Sequence, residues 1–378
     1  MDDDATRPPR RPTRLVLGHV LGVPVDVTPA WFIVAGLITY GFAATVEAEV
    51  PGLGALRYAV SLAFALLLYA SVLLHELAHT WLALRFGLPV RRISLHLLGG
   101  VSEIERPADS PEREAAVAIA GPLLSLAVAA AAWAAWLVLE QGTVAHLLAR
   151  ALLVSNLVVG VFNLLPGLPL DGGRVVAAVV WRITGRRDSG TVAAGLAGRG
   201  LALLVLALPF LVAAARRTEA SIVDVAWAGL LGGFLFVGSS EAVRYGRLQG
   251  RLPRVDARSM TRRAIPVAVD VPLAEALRRA EVAGASGLVV VDGGGAPLGL
   301  VSESAVRSVP VSRRPWVPVG ELSRRLAPGL TLSVDLHGEA LVTAMRSRPA
   351  TEYLVVEANG DVYGMLASAD VESALTRT

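Results

Sequence analysis

With 378 residues, 54% of them apolar and 18% charged, and a mean hydropathy of +0.56, the chain is too apolar for an ordinary soluble enzyme and fits membrane spans beside a smaller soluble part. A formal net charge of only +3 carries no nucleic-acid footprint, so no nucleic-acid partner is expected. Cysteine is absent, which excludes disulfides and thiolate metal sites and leaves any transition metal to His, Asp or Glu, with six histidines available: His19, His75, His79, His96, His146 and His337.

Residues 1–14, MDDDATRPPRRPTR, are polar and Pro-rich and read as a disordered cytoplasmic arm. The following LVLGHVLGVPVDV is broken by glycines and His19, lacks a compact apolar core before a small-residue cleavage site, and is not a signal peptide. Long apolar segments run over Pro29–Val46, Ala55–Arg85, Ala115–Leu139, Val144–Leu165, Thr191–Ala215 and Ser221–Val243. Each is near or above the ~20 residues that cross a bilayer core, so a polytopic α-helical membrane domain of about six spans is expected over residues 15–250. Arg7, Arg10, Arg11 and Arg14 precede the first span, and Arg85, Arg91, Arg92, Arg106 and Arg113 follow the second. Arg182, Arg186 and Arg187 follow the fourth, and Arg244, Arg247, Arg251 and Arg254 the sixth. The opposite loops hold only Arg57, Arg150, Arg216 and Arg217, so both termini are expected in the cytoplasm.

The second span carries His75-Glu76-Leu77-Ala78-His79 near its cytoplasmic end. On a helix, positions i and i+4 share a face, so both imidazoles can reach one ion. Glu76 lies beside them, where it can deprotonate a water. Such groups in a lipid-embedded helix are costly and usually face a protein interior for a functional reason; the alternative is a polar cluster snorkelling at the interface. After this span, VRRISLHLLGGVSEIE alternates as a β-hairpin or paired strand, with Gly99-Gly100 permitting a tight turn or close backbone approach. Its free edge could capture an unwound substrate segment, or the hairpin could merely plug the helix bundle.

A catalytic zinc takes three protein ligands and leaves a position for water, so a third polar group is needed at similar depth. The best candidate is Asp171 in NLLPGLPLDGG, where Pro166, Pro169 and three glycines force the backbone to unwind after the fourth span. Asp171 could instead cap a helix starting at Arg174, and His96, Glu103 and Glu105 remain alternative ligands. Asn163 could donate a hydrogen bond to a developing oxyanion, or satisfy backbone groups freed near Pro166. His19, Glu140, His146, Asp224 and Glu241 fall near span ends and read as interfacial.

After about Leu252 the composition becomes that of a soluble α/β module, residues 255–378, in which two stretches look alike (about 257–308 and 317–377). Each has an extended start, an amphipathic helix, a β-rich run such as Gly287–Val291 or Tyr353–Val356, a turn, a second strand and a final helix.

HELAH in one span and NLLPGLPLDGG in a later one resemble the site-2 protease family of intramembrane zinc metalloproteases, over roughly Leu15–Arg187. The resemblance implies His75, His79 and Asp171 as ligands of one zinc, Glu76 as base, and Asn163, Pro166 and Gly172 as supporting positions. It also implies substrates that are transmembrane segments of other proteins, often anti-sigma factors or membrane-tethered regulators, cut within the bacterial plasma membrane. One departure is visible: a Gly-Pro pair in the next span is usually followed by Asn, whereas Gly121-Pro122 is followed by Ser125. The C-terminal repeats resemble a tandem pair of cystathionine-β-synthase (CBS) domains, which often bind adenine nucleotides. Here the first copy has Gly299 and Ser302 but Ala305 in place of Asp, and the second has Asp370 but Ala367 in place of the hydroxyl. Each half-site lacks one polar contact, which favours regulatory docking or dimerisation over nucleotide binding and leaves a homo-oligomer open. Two other classes compete with the protease: an ion channel or transporter regulated by the repeats, and a proteolytically inactive membrane scaffold. A channel needs polar residues spread over several spans, and a scaffold needs no base beside two ligands.

Overall fold

Side-chain caps from Ser110 and Thr143 start two of the long apolar helices. The structure, a computed structural model, describes residues 15–96 and 99–376, so the arm expected over residues 1–14 lies outside the described residues. Two units divide the chain, one ending at Gly246 and the other beginning at Arg247.

The first unit opens with a hairpin where the sequence suggested only a broken apolar stretch. Strands β1 (Leu15–Val20) and β2 (Val23–Val27) pair antiparallel across Leu21 and Gly22, whose φ values are +55° and +77°. Two positive φ angles in a row match the strand twist in a two-residue hairpin turn, which glycine allows. Helices α1 (Pro29–Glu49) and α2 (Leu56–Arg85) follow, then β3 (Val90–His96) and β4 (Gly99–Ile104). Next come α3 (Pro111–Val138), α4 (Val144–Asn163), α5 (Asp171–Thr184), α6 (Arg187–Arg216) and α7 (Ile222–Arg251). Six of these, α1 to α4, α6 and α7, are long and apolar enough to cross a membrane. They overlie the six expected segments with shifted ends: α4 stops at Asn163, short of Leu165, and α3 begins at Pro111, not Ala115, where the Ser110 side chain accepts a hydrogen bond from Arg113 N. The amphipathic α5 answers to the helix that one sequence reading started at Arg174, but it begins three residues earlier, at Asp171, and takes in the two glycines that read as a break.

The four strands form one sheet in the order β1-β2-β3-β4, with β2 and β3 parallel and α1 and α2 as the crossover. The expected hairpin is present as antiparallel β3 and β4, and β4 is an edge of the sheet. Val23, Val25 and Ile93 pack on Leu73 and Leu77 of α2, which fixes the sheet over the HELAH turn. On α6, small residues admit close neighbours. A Cβ on Gly190 would lie 2.2 Å from Ala177 O of α5, and one on Gly198 2.0 Å from Leu168 O. Close backbone approach at small residues is the usual way membrane helices gain packing, because lipid supplies no hydrophobic drive between them.

The second unit holds two copies of one topology. The first comprises α8 (Ala257–Met260), β5 (Arg262–Ala268), α9 (Leu273–Val282), β6 (Gly287–Val291), β7 (Pro297–Val301) and α10 (Glu303–Ser308). The second comprises α11 (Val319–Leu322), β8 (Ser323–Arg325), β9 (Thr331–Ser333), α12 (Gly338–Ser347), β10 (Glu352–Val356), β11 (Val362–Ala367) and α13 (Ser368–Thr376). In both, a parallel strand pair bridged by a helix is followed by an antiparallel pair. All seven strands join in the order β8-β7-β6-β5-β11-β10-β9. The start of β5 pairs with β11, and β8 with β7, so each copy lends its leading residues to the other. Val289, Leu300, Leu354 and Met365 form an apolar cluster drawn from both copies.

Replacing Gly198 by Val should force α6 away from the Leu168 carbonyl and lower the thermal midpoint of the detergent-solubilised protein by several degrees. Gly200→Val, where a Cβ meets nothing within 4 Å, should leave it unchanged. Fluorescence-monitored melting measures both.

Candidate metal centre

His75 and His79 lie on the buried side of α2, with relative exposures of 5% and 4%. Their Nε2 atoms converge to 3.1 Å. Asp171 Oδ2 lies 3.2 Å from the first and 3.3 Å from the second. Among the described residues this is the one grouping of three His, Asp or Glu side chains whose donor atoms all lie within 4.8 Å. The donor set fits zinc, since a tetrahedral ion with bonds of about 2.0–2.1 Å holds its ligands about 3.3 Å apart.

Each imidazole is oriented through its other nitrogen. His75 Nδ1 sits 2.9 Å from Ser125 Oγ, and His79 Nδ1 donates to Val117 O at 2.7 Å. A donor N–H at Nδ1 leaves Nε2 as the lone-pair nitrogen, the tautomer a ligand needs. Both partners come from α3, and a glycine brings that helix close enough. A Cβ on Gly121 would fall 2.2 Å from His79 Nε2 and 2.6 Å from His75 Nε2.

Asp171 is the first residue of α5, and its carboxylate makes no cap bond; Leu170 occupies the capping position. The carboxylate faces the two imidazoles instead of closing the helix end, the role that the capping reading gave it. The Pro- and Gly-rich residues before it are unwound, as expected, with Leu168 N donating to Ala194 O at 3.1 Å. They press on the first turn of α5: a Cβ on Gly172 would meet Leu164 O at 2.3 Å, and one on Gly173 would meet Leu168 N at 2.2 Å.

Glu76 is buried beside the histidines, and its Oε2 accepts a hydrogen bond from Ser102 Oγ of β4 at 2.8 Å. Ser102 Oγ is also 3.1 Å from Thr80 Oγ1, one turn along α2. The expected close approach of the Gly-Gly pair occurs at Gly100, where a Cβ would lie 2.3 Å from Glu76 Cγ. Asn163 ends α4, half-buried, and its side chain makes no hydrogen bond among the described residues. The alternative ligands do not join the cluster: Glu103 pairs with Arg92 at 3.0 Å, and His96 lies on β3. The sequence reading missed Ser102, and it noted Ser125 only as a departure from the family pattern, without its contact to His75. Ser125 stands one turn beyond Gly121, a spacing that could have pointed to it once Gly121 was placed on the histidines.

A helical bundle holding a buried His, His and Asp donor set beside a buried glutamate defines a candidate metallohydrolase. The chain belongs to peptidase family M50, as the comparisons with known proteins establish. The model of Peptidase family M50 matches residues 63–145 and 137–207, and that of the CBS domain residues 255–312. Over 368 residues the chain is 30% identical to the candidate zinc metalloprotease sll0528 of Synechocystis sp., covering 95% of this chain and 94% of that one. It is 32% identical to the candidate zinc metalloprotease Rip3 of Mycobacterium tuberculosis over 365 residues, 94% of this chain and 91% of that one. A shorter match, 37% identical over 106 residues, relates 28% of this chain to 36% of the Stage IV sporulation protein FB of Bacillus subtilis. Among solved structures, the Site-2 Protease from Methanocaldococcus jannaschii is similar at 24% identity and a TM-score of 0.42, covering 61% of this chain and 95% of that one. The zinc and the CBS pair expected from the sequence accord with this membership, and the second CBS copy follows from its matching topology.

Gly121→Val should push the imidazoles apart and remove bound metal. Ser125→Ala should keep the metal but weaken its binding by about 10–100-fold. Metal content and chelator competition of detergent-purified protein distinguish the two outcomes.

Proposed function

We propose that the chain is an intramembrane zinc endopeptidase of the site-2 protease type, with His75, His79 and Asp171 as ligands and Glu76 as the catalytic base. The single observation that carries this reading is the near-equilateral triangle of Nε2, Nε2 and Oδ2 atoms, 3.1, 3.2 and 3.3 Å on its sides. When bound, zinc lowers the pKa of a water towards neutrality and polarises the scissile carbonyl. Glu76 takes the proton from the attacking water and passes it to the leaving amine. The Ser102 hydrogen bond keeps the Glu76 carboxylate in one rotamer, so the base need not be ordered at each turnover. Asn163, with its amide unengaged, donates to the developing oxyanion.

Six spans with both termini in the cytoplasm place this centre near the cytoplasmic side of a bacterial plasma membrane. The six apolar helices and the arginine-rich loops support that placement. Substrates are transmembrane segments of membrane-tethered regulators such as anti-sigma factors. The similarity to a sporulation protein supports a regulatory substrate. Edge strand β4 carries Val101, half exposed, beside the base-holding Ser102. An unwound substrate adding to that edge presents its backbone carbonyl to the centre. The second unit regulates through docking or dimerisation. Arg262 holds Asp370 through two hydrogen bonds of 2.9 and 2.8 Å, which favours this role over adenine nucleotide binding. A scaffold or channel reading leaves the buried Glu76–Ser102 pair without a purpose.

Wild type should carry about one zinc per chain, lost in His75→Ala and Asp171→Ala and retained in Glu76→Gln. Membranes of cells expressing Glu76→Gln should accumulate full-length substrate that wild type removes, and comparative membrane proteomics measures this. Well-folded wild type without zinc after reconstitution would sink the reading. Val101→Pro should stop cleavage while zinc stays bound; unchanged cleavage would refute capture on β4.

A further inference from the structure

We propose that Glu114 and Arg174 are positioning residues that set the place of Asp171, the third ligand, through an ion pair between α3 and α5. The inference rests on the zinc reading above. Helix α5 has 14 residues and is not among the helices long and apolar enough to span a membrane. No bilayer thickness therefore fixes its depth, and its first residue makes no capping bond that would pin it. Yet Asp171 Oδ2 must meet two imidazoles carried by another helix. Something has to hold the start of α5 against the bundle.

Arg174 lies one turn after Asp171, on the same face of α5. Its Nε and Nη2 reach Glu114 Oε1 at 3.0 and 2.9 Å. The other carboxylate oxygen of Glu114 takes Nη2 of Arg187, from the start of α6, at 3.4 Å. Arg187 Nη1 also donates to Ala108 O at 3.4 Å, in the segment leading into α3. The Glu114 side chain is 13% exposed and that of Arg174 31%, so the carboxylate is the end largely removed from water, where losing its partner leaves a charge poorly compensated. On α3, Glu114, Val117, Gly121 and Ser125 fall at helical spacings on one face. That face therefore orients His79 through Val117 O, His75 through Ser125, and the aspartate helix through Glu114. A second ion pair joins the same two helices, Glu112 with Arg182 at 2.9 Å, but its side chains are 63% and 74% exposed. Exposed pairs contribute little, so this second pair serves as an internal control.

The test measures zinc affinity of the full chain in detergent by chelator competition, together with thermal midpoint. Glu114→Gln and Arg174→Gln should each weaken zinc binding by about tenfold or more, the range found when groups that orient metal ligands are changed. The double variant should be no weaker than the worse single one, because both act through one contact. Glu112→Gln should match wild type. Should the neutral variants fail to fold, Arg174→Lys keeps the charge but loses the two-nitrogen grip, and should weaken zinc binding while the protein remains folded. Wild-type affinity in folded Glu114→Gln or Arg174→Lys, with zinc still lost in Asp171→Ala, would overturn this inference alone. Additive losses in the double variant would also overturn it. Wild type that binds no zinc would instead overturn the metal-centre reading and this inference with it.

Discussion

The site depends on the space that Gly121 leaves open. Two imidazoles, one helical turn apart on α2, aim their Nε2 atoms at a point where α3 passes, and any side chain at Gly121 would fill it. Because α3 lies that close, its own groups are within reach of the rings. Val117 O and Ser125 Oγ take the Nδ1 positions, which fixes ring orientation and tautomer together. The steric constraint and the hydrogen-bonding arrangement are thus one feature: moving α3 outward to fit a methyl would also lengthen both orienting bonds.

Asp171, the proposed third ligand, comes from a different kind of segment. Chain that unwinds at membrane depth is costly unless its backbone groups find partners within the protein. Here Leu168 N reaches Ala194 O, and Gly172 and Gly173 let the loop fold back on the first turn of α5. This tight return makes Asp171 the first residue of a helix and aims it at α2. The sequence showed the break and the carboxylate, because prolines, glycines and an aspartate in an apolar run are conspicuous. It did not show that α5 starts at Asp171, because its first turn contains the very glycines that read as a break.

What was legible followed from scarcity. With no cysteine and six histidines, an i,i+4 His pair in an apolar helix could hardly be missed, and six apolar runs of bilayer length announced six helices. What was not legible was carried by common residues. Ser102 is a single hydroxyl among many, and Ser125 stood out only as a departure from the family pattern; contact with Glu76 and His75 gives them their roles. The β1–β2 hairpin was hidden because β1 keeps most of its apolar side chains exposed on both faces, so it lacks the alternation that marks a half-buried strand. In the second unit the repeat was visible, but the exchange of leading residues between copies was not, since β8 has three residues and no pattern of its own.

The proposed base, Glu76, is held by a different element from the proposed ligands, and this asymmetry bears on how chemistry and substrate would be linked. The histidines are oriented by α3, inside the bundle, whereas Glu76 is held by Ser102 on β4 at the sheet edge. Gly100, two residues earlier on the same strand, approaches Glu76 so closely that the strand cannot shift inward without moving the carboxylate. The sheet is itself seated on α2 through Leu73, just before the HELAH turn, and Leu77 within it. A segment added to the β4 edge would therefore bear on the strand that sets the rotamer of the base, while leaving the ligand triangle to α3 and α5. Metal binding and base placement rest on separate supports, so substitutions in β4 and in α3 should disturb different steps of the same reaction.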